Sequence, residues 1–136
     1  MIIMGISLLA FISCGEEYED GEVIRDTYSG TIHVTSGGED PAGDFTGSGD
    51  SGIYSFAWRN PQSEASLNLD ITTNTGSVQM ILRDSKDTVV LDKTLNAGGV
   101  DSYSGVSDPG ESGIWTVKLI ITDFNGDGSY SLHPGG

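Results

Sequence analysis

Apolar side chains alternate with polar ones in a series of short segments that begins at Ile53 and continues almost to the end of the 136-residue chain. Leu67, Leu69 and Ile71 share one side of such a segment, and polar residues stand between them. A period of two is typical of a strand with one buried face, and no window of this region has the stripe of an amphipathic helix. The pattern predicts an all-β sandwich or barrel.

Clusters of glycine, asparagine and aspartate separate these segments and predict turns and loops. Residues 36–52 have the composition of a long loop, and residues 74–76 (Asn-Thr-Gly) that of a tight turn. Residues 100–106 read as a glycine-rich loop that exposes Tyr103, which makes this tyrosine a candidate contact for a ligand.

Two tryptophans allow two interpretations. A pair of exposed rings at Trp58 and Trp115 would form a platform on which a sugar can stack. Both are in register with apolar neighbours, Trp58 with Phe56 and Trp115 with Val117. This register predicts that both tryptophans lie in the core.

The first residues differ in composition from the rest, since every charged side chain lies beyond Gly15. The apolar run of residues 1–13 is shorter than the ~20 residues of a transmembrane helix and has the length of a signal-peptide core. It ends in Phe-Ile-Ser followed by Cys14, which resembles the cleavage box of bacterial lipoproteins. The resemblance implies that Cys14 carries the lipid. The other interpretation is a buried N-terminal strand with a free cysteine.

The lipoprotein interpretation divides the chain into three parts: a signal peptide over residues 1–13, a flexible acidic tether over residues 14–29 and a β-sandwich domain over residues 30–136. The acidic run after Cys14 is similar to the segment that directs lipoproteins of the Bacteroidetes type to the cell surface. We therefore expect a protein of the cell envelope, anchored through its lipid in the outer membrane with the domain facing outward.

Net charge excludes one class of partner. Twenty acidic residues against six basic ones give a formal charge of −14, which repels nucleic acid and opposes adhesion to anionic lipid through charge. The acidic excess is expected to keep a membrane-held domain soluble. The single cysteine excludes an internal disulfide.

One segment has the spacing of calcium ligands. Asp123, Asn125 and Asp127 match the first half of an oxygen-ligand calcium loop, D-x-N-x-D-G. The twelfth position, where an EF-hand loop has a bidentate glutamate, is Pro134. The segment predicts either a calcium site of millimolar affinity completed by carbonyls and water, or a hairpin turn in which the Asn-Gly and Asp-Gly pairs supply positive φ.

Catalytic motifs are not evident in the sequence. His33 and His133 are the two histidines, and no serine stands in an elbow motif that would pair with either of them. Pairs of carboxylates are expected by chance among twenty acids and indicate no glycosidase. The chain is therefore predicted not to be an enzyme.

Four segments together resemble bacterial and archaeal pre-peptidase C-terminal domains. They are residues 51–56 (SGIYSF), 78–84 (VQMILRD), 108–119 (DPGESGIWTVKL) and 126–132 (GDGSYSL). The likeness covers about residues 50–134 and implies an all-β, antiparallel, jelly-roll-like β-sandwich of about eight strands. Domains of that family have no catalytic residues of their own and accompany a secreted protease.

These inferences predict a surface-tethered, non-catalytic lipoprotein whose β-sandwich binds an extracellular polymer or protein. The alternative is a structural or assembly subunit that acts by pairing its strand edges with another chain. An enzyme, carbohydrate-active or other, is the third and least supported interpretation.

Overall fold

The computed structural model describes residues 18–35 and 38–136, so the predicted signal peptide and Cys14 lie outside the described residues. Within those ranges the secondary structure consists of seven β-strands. They are β1 (Val23–Asp26), β2 (Thr31–Thr35), β3 (Ala42–Asn60), β4 (Ala65–Arg83), β5 (Val89–Asn96), β6 (Gly99–Val106) and β7 (Gly113–Pro134). No helix in this described part is long and apolar enough to span a membrane.

Three of the strands are long and form the centre of the fold. β7 lies between β3 and β4 and pairs antiparallel with both. β1 and β2 pair with different halves of β3, and β5 and β6 with different halves of β4. β3 and β4 therefore each change their outer neighbour along their length, whereas β7 keeps the same two neighbours.

The three long strands have irregular pairing at the same level. The register of β3 against β7 shifts between Ser48 and Gly52, and that of β4 against β7 shifts between Thr73 and Ser77. On one side of this level lies sheet A, with the order β2-β3-β7-β4-β6, and on the other lies sheet B, with the order β1-β3-β7-β4-β5. The two sheets pack face to face, since Phe56 of sheet B contacts Tyr130 of sheet A with ring centroids 6.3 Å apart.

This architecture confirms the predicted all-β, antiparallel sandwich. The number of strands differs, because the long strands continue through positions where the sequence predicts turns. The core prediction for the tryptophans is also confirmed. Trp58 and Trp115 are fully buried, pair opposite each other in sheet B and meet edge to face with centroids 5.9 Å apart.

Residues 74–76 and 123–129 lie within strands and make no hairpin turns, which corrects both predictions. At these positions the strands bend from one sheet into the other. Gly76, with φ +92°, takes the left-handed conformation that a bulge requires. The Ser51 hydroxyl accepts a hydrogen bond from the Asp123 amide (2.9 Å), and the Thr75 hydroxyl donates to the Asp123 carbonyl (3.0 Å). Side chains thus satisfy backbone groups that leave the ladder at the bend.

The two predicted loops are largely strand as well. β3 begins at Ala42, inside the predicted loop of residues 36–52, and β6 covers residues 100–106. Glycine stands here where an aromatic ring lies over the backbone. A Cβ on Gly43 would approach Cε1 of Tyr130 to 2.8 Å, and one on Gly105 would overlap the ring of Tyr103. The glycines therefore make room for rings inside strands.

The domain begins before residue 30, the predicted end of the acidic tether. β1 pairs with β3 at Val23 and Asp26, and Tyr28 is buried with its hydroxyl donating to the Thr46 carbonyl (2.7 Å). The acidic composition predicts a tether because these strand residues show no alternation. Their backbone hydrogen bonds with the edge of the sheet at β3 hold them in a strand, and the sequence pattern does not show this pairing.

Candidate functional site

The basic residues are confined to one side of the molecule. None of the five strand segments of sheet A contains lysine or arginine, whereas three of its strands carry the carboxylates of Asp44, Asp70 and Asp127 on exposed positions. All six cations lie on the strands of sheet B or on the turn that joins two of them: Arg25, Arg59, Arg83, Lys86, Lys93 and Lys118.

Four of these cations line one groove of ≈ 790 Å³, which we call the basic groove. They are Arg25, Arg83, Lys86 and Lys118. Along β7 the groove is lined by Ile114, Thr116 and Lys118, which alternate with the buried Trp115 and Val117. The basic groove therefore lies on the outer face of sheet B.

Register explains why cations distant in the sequence come together. Arg25 pairs with Ser55, and Ser55 pairs with Lys118 on the next strand. Arg83 pairs with Thr116, two residues from Lys118 along β7. Neighbouring strands are ~4.8 Å apart, so the backbone positions of Arg25 and Lys118 are separated by roughly 10 Å, and those of Arg83 and Lys118, which are diagonal neighbours, by roughly 7–8 Å.

The N-terminal segment forms another wall. Tyr18 and Ile24 line the basic groove, and both belong to the predicted tether. Together with Ile114 they give the groove apolar contact surface beside its charges. Sequence reasoning missed this aromatic because Tyr18 stands in an acidic run without a period.

In the part of the chain that the structure describes, no carboxylate oxygen lies within 4.0 Å of any of these four cations. The groove also contains Asp84 and Asp87. Asp87 is exposed, whereas Asp84 is buried and already has its hydrogen-bond partners. Its carboxylate accepts hydrogen bonds from the backbone amides of Lys86, Thr88 and Glu111, each at 2.9 Å.

These hydrogen bonds determine the charge of Asp84. Burial by itself would raise the pKa of the Asp84 carboxyl, but the three amides and the nearby Lys86 ammonium outweigh burial and lower this pKa. The carboxylate therefore stays ionised and holds the turn that presents Lys86 to the groove.

Tyr103 does not lie in the basic groove. It is half-buried on β6, packs against the core, and has the Lys93 ammonium 5.1 Å from its ring centroid. The expectation of an exposed loop tyrosine is wrong, since the ring covers Gly105 on its own strand.

The predicted calcium ligands lie on one strand, at the bend between the two sheets. Asp123, Asn125 and Asp127 follow one another along β7, and Asp123 has a φ of +47°. Calcium holds its oxygens at ~2.4 Å. Residues 18–35 and 38–136 contain no group of three or more His, Cys, Asp or Glu side chains that could hold a metal ion. A calcium site completed by Asn125, carbonyls and water stays a prediction.

No family model and no curated protein matches the chain, so the resemblance to pre-peptidase C-terminal domains stays a prediction. Solved structures do match. TmCBM61, solved with β-1,4-galactotriose, is 13% identical with a TM-score of 0.54 over 85% of this chain and 92% of that one.

Two further matches have lower TM-scores. The carbohydrate-binding module CBM6cm-2 of Cellvibrio mixtus lichenase 5A, with cellotriose, is 12% identical, with a TM-score of 0.47 over 87% of this chain and 100% of the module. A CBM36 module with calcium and xylotriose is 11% identical, with a TM-score of 0.43 over 87% and 93%. At such identities the likeness to TmCBM61 shows the fold alone, and this chain shares its β-sandwich fold.

Proposed function

We propose that the chain is a non-catalytic module that binds an extracellular polysaccharide in the basic groove. The groove itself carries this proposal: it is open, lies across the strands of sheet B and combines charged, hydroxyl and apolar side chains. Such a mixture suits a sugar chain, whose rings present both hydroxyls and C–H faces. The fold supports it, because TmCBM61 holds a galactotriose on the same kind of sandwich.

The two carboxylates of the groove support binding without hydrolysis. A glycosidase needs one carboxyl as a general acid and a second as base or nucleophile. The lowered pKa of Asp84 works against a general acid, which needs a raised one, and its oxygens accept three backbone amides. Asp87 alone cannot supply both functions.

Replacing Tyr18 with alanine is expected to weaken polysaccharide binding about fivefold to tenfold, because a ring face that contacts sugar contributes roughly 1 kcal/mol or more. Affinity electrophoresis against β-1,4-galactan, xylan and polygalacturonate would measure the change.

Tyr103→Ala is the matched control. It removes the same side chain from outside the basic groove and should leave the affinity unchanged, even where it lowers stability. Loss of binding in the Tyr103 variant with full binding in the Tyr18 variant would place the site elsewhere. Binding to no polysaccharide would refute the function.

The lipid anchor is part of the same proposal and depends on the sequence motif at Cys14. Mass spectrometry of the protein isolated from its native envelope should find a chain that begins at Cys14 and carries acyl chains. A Cys14→Ser variant should be released from the membrane fraction. An unmodified N-terminus upstream of Cys14 would contradict both lipidation and the expected outer-membrane location.

A further inference from the structure

We infer that the polysaccharide in the basic groove is an acidic one, whose carboxylate or sulfate groups pair with the four cations of the groove. The inference rests on the proposed function and specifies its ligand. Its first support is the distribution of charge. A chain of net charge −14 places four of its six basic residues around one groove and none on the strands of sheet A.

Two of the cations are partly buried. Arg83 and Lys118 are half-buried, and no carboxylate oxygen among the described residues lies within 4.0 Å of either. Removing a cation from water is costly unless an anion or hydrogen-bond acceptor compensates. A ligand that brings its own anionic groups would supply that compensation, which a neutral sugar does only through its hydroxyls.

The arrangement fits a polymer better than a single small anion. Arg25, Lys118 and Arg83 stand on three different strands, with backbone separations of roughly 7–10 Å. One small anion would contact one or two of these side chains. A chain with repeated acidic groups contacts several of them in succession, and the guanidinium forks of the two arginines match planar carboxylate as well as sulfate.

Nucleic acid and anionic membranes are weaker candidates. Duplex DNA carries one charge per ~1.7 Å of helix axis. A duplex bound at the groove would therefore hold more phosphates than the groove has cations, and most of them would face the acidic surface around it. An acidic polysaccharide carries its charges at a lower density, about one per sugar ring. Its uncharged ring faces can also contact Tyr18, Ile24 and Ile114 between the cations.

The test compares matched acidic and neutral polymers with the full chain by isothermal titration. Polygalacturonate is paired with its methyl ester, and dextran sulfate with dextran, which separates carboxylate from sulfate recognition. We expect the acidic member of at least one pair to bind about tenfold or more tightly, with an affinity that falls as salt rises.

Two groove variants and one control assign the charge effect to the groove. Arg83→Gln and Lys118→Gln should each weaken binding to the acidic polymer about fivefold to tenfold. Lys93→Gln makes the same change in net charge outside the groove and should leave the affinity within about twofold.

The outcomes separate this inference from the proposed function. Equal binding of the acidic and neutral partners, with Tyr18→Ala still weakening it, would overturn the acidic ligand and leave the polysaccharide function intact. Binding to none of the polysaccharides would overturn both. Binding of duplex DNA or phosphatidylserine vesicles as tight as that of the acidic polymer, with the same dependence on Arg83 and Lys118, would also overturn the inference.

Discussion

Replacing Gly128 with alanine is expected to lower the free energy of unfolding by about 2–3 kcal/mol, the cost of overpacking a closed core. Gly128 pairs opposite Phe45, and a Cβ on Gly128 would lie 2.2 Å from Cζ of the Phe45 ring. The ring cannot move aside easily, since Phe45 is fully buried and packs against Phe124 with centroids 5.2 Å apart. Urea denaturation followed by tryptophan fluorescence would measure the loss.

A double-mutant cycle distinguishes this steric cause from an effect on the backbone of Gly128. Phe45→Leu alone should cost about 1–1.5 kcal/mol, and it removes ring atoms from the space that the new methyl group needs. The double variant should therefore lose at least about 1 kcal/mol less than the sum of the two single changes. Strictly additive losses would show that Gly128 is needed for its backbone and not for the ring.

Gly128 also illustrates which parts of the fold the sequence predicts. Alternation identifies the buried faces of the strands, because successive side chains of a strand point to opposite faces. Trp58, Leu69 and Val117 are buried, as the alternation predicts. Glycine is ambiguous. Near Asp127 it has the signature of a turn, but in the structure it is the place where a ring from the opposite strand lies over the backbone. Single-chain composition does not separate these two uses.

The basic groove could not be predicted from the sequence for a different reason. Arg25, Arg83 and Lys118 belong to three segments that only the strand order brings together. Net charge averages over both sheets and indicates a uniformly acidic protein, whereas the structure places the cations on one sheet and leaves the strands of the other without any. The site is a property of pairing over long sequence distances, to which local patterns are insensitive.

Tyr18 and the predicted calcium segment show the same limit at single residues. A residue in an acidic run has no signal that separates a tether from a wall of the groove. Conversely, the D-x-N-x-D-G spacing is that of a loop that curls around an ion, whereas this segment lies within β7, at the bend between the two sheets. Residue spacing predicts chemistry once the local backbone shape is known.

Replacing Asp84 with asparagine is expected to cost about 2–3 kcal/mol of unfolding free energy, the range for losing charge-assisted hydrogen bonds in a buried site. The Asp84 oxygens accept amides of Lys86 and Thr88 on one side and of Glu111 on the other. An asparagine amide must turn its NH2 group toward one of these donors. Asp87→Asn removes the same charge from an exposed position of the same turn and should cost less than about 0.5 kcal/mol.

At low pH, the wild type and Asp84→Asn should no longer differ in their free energy of unfolding. The pKa of Asp84 is lowered in the folded protein from its usual value of 3.8, so its stabilising contribution is fully present above that value. It is lost as the pH falls through the lower folded pKa, because protonation then costs the native state its ionised acceptor. Urea denaturation at a series of pH values should therefore give a difference in unfolding free energy between wild type and Asp84→Asn that is constant above about pH 5 and shrinks as the pH falls below 3.8. If this difference in unfolding free energy stayed constant down to the lowest pH, the charge of the Asp84 carboxylate would contribute nothing to stability. The turn, and with it the position of Lys86 in the groove, would then depend on packing alone.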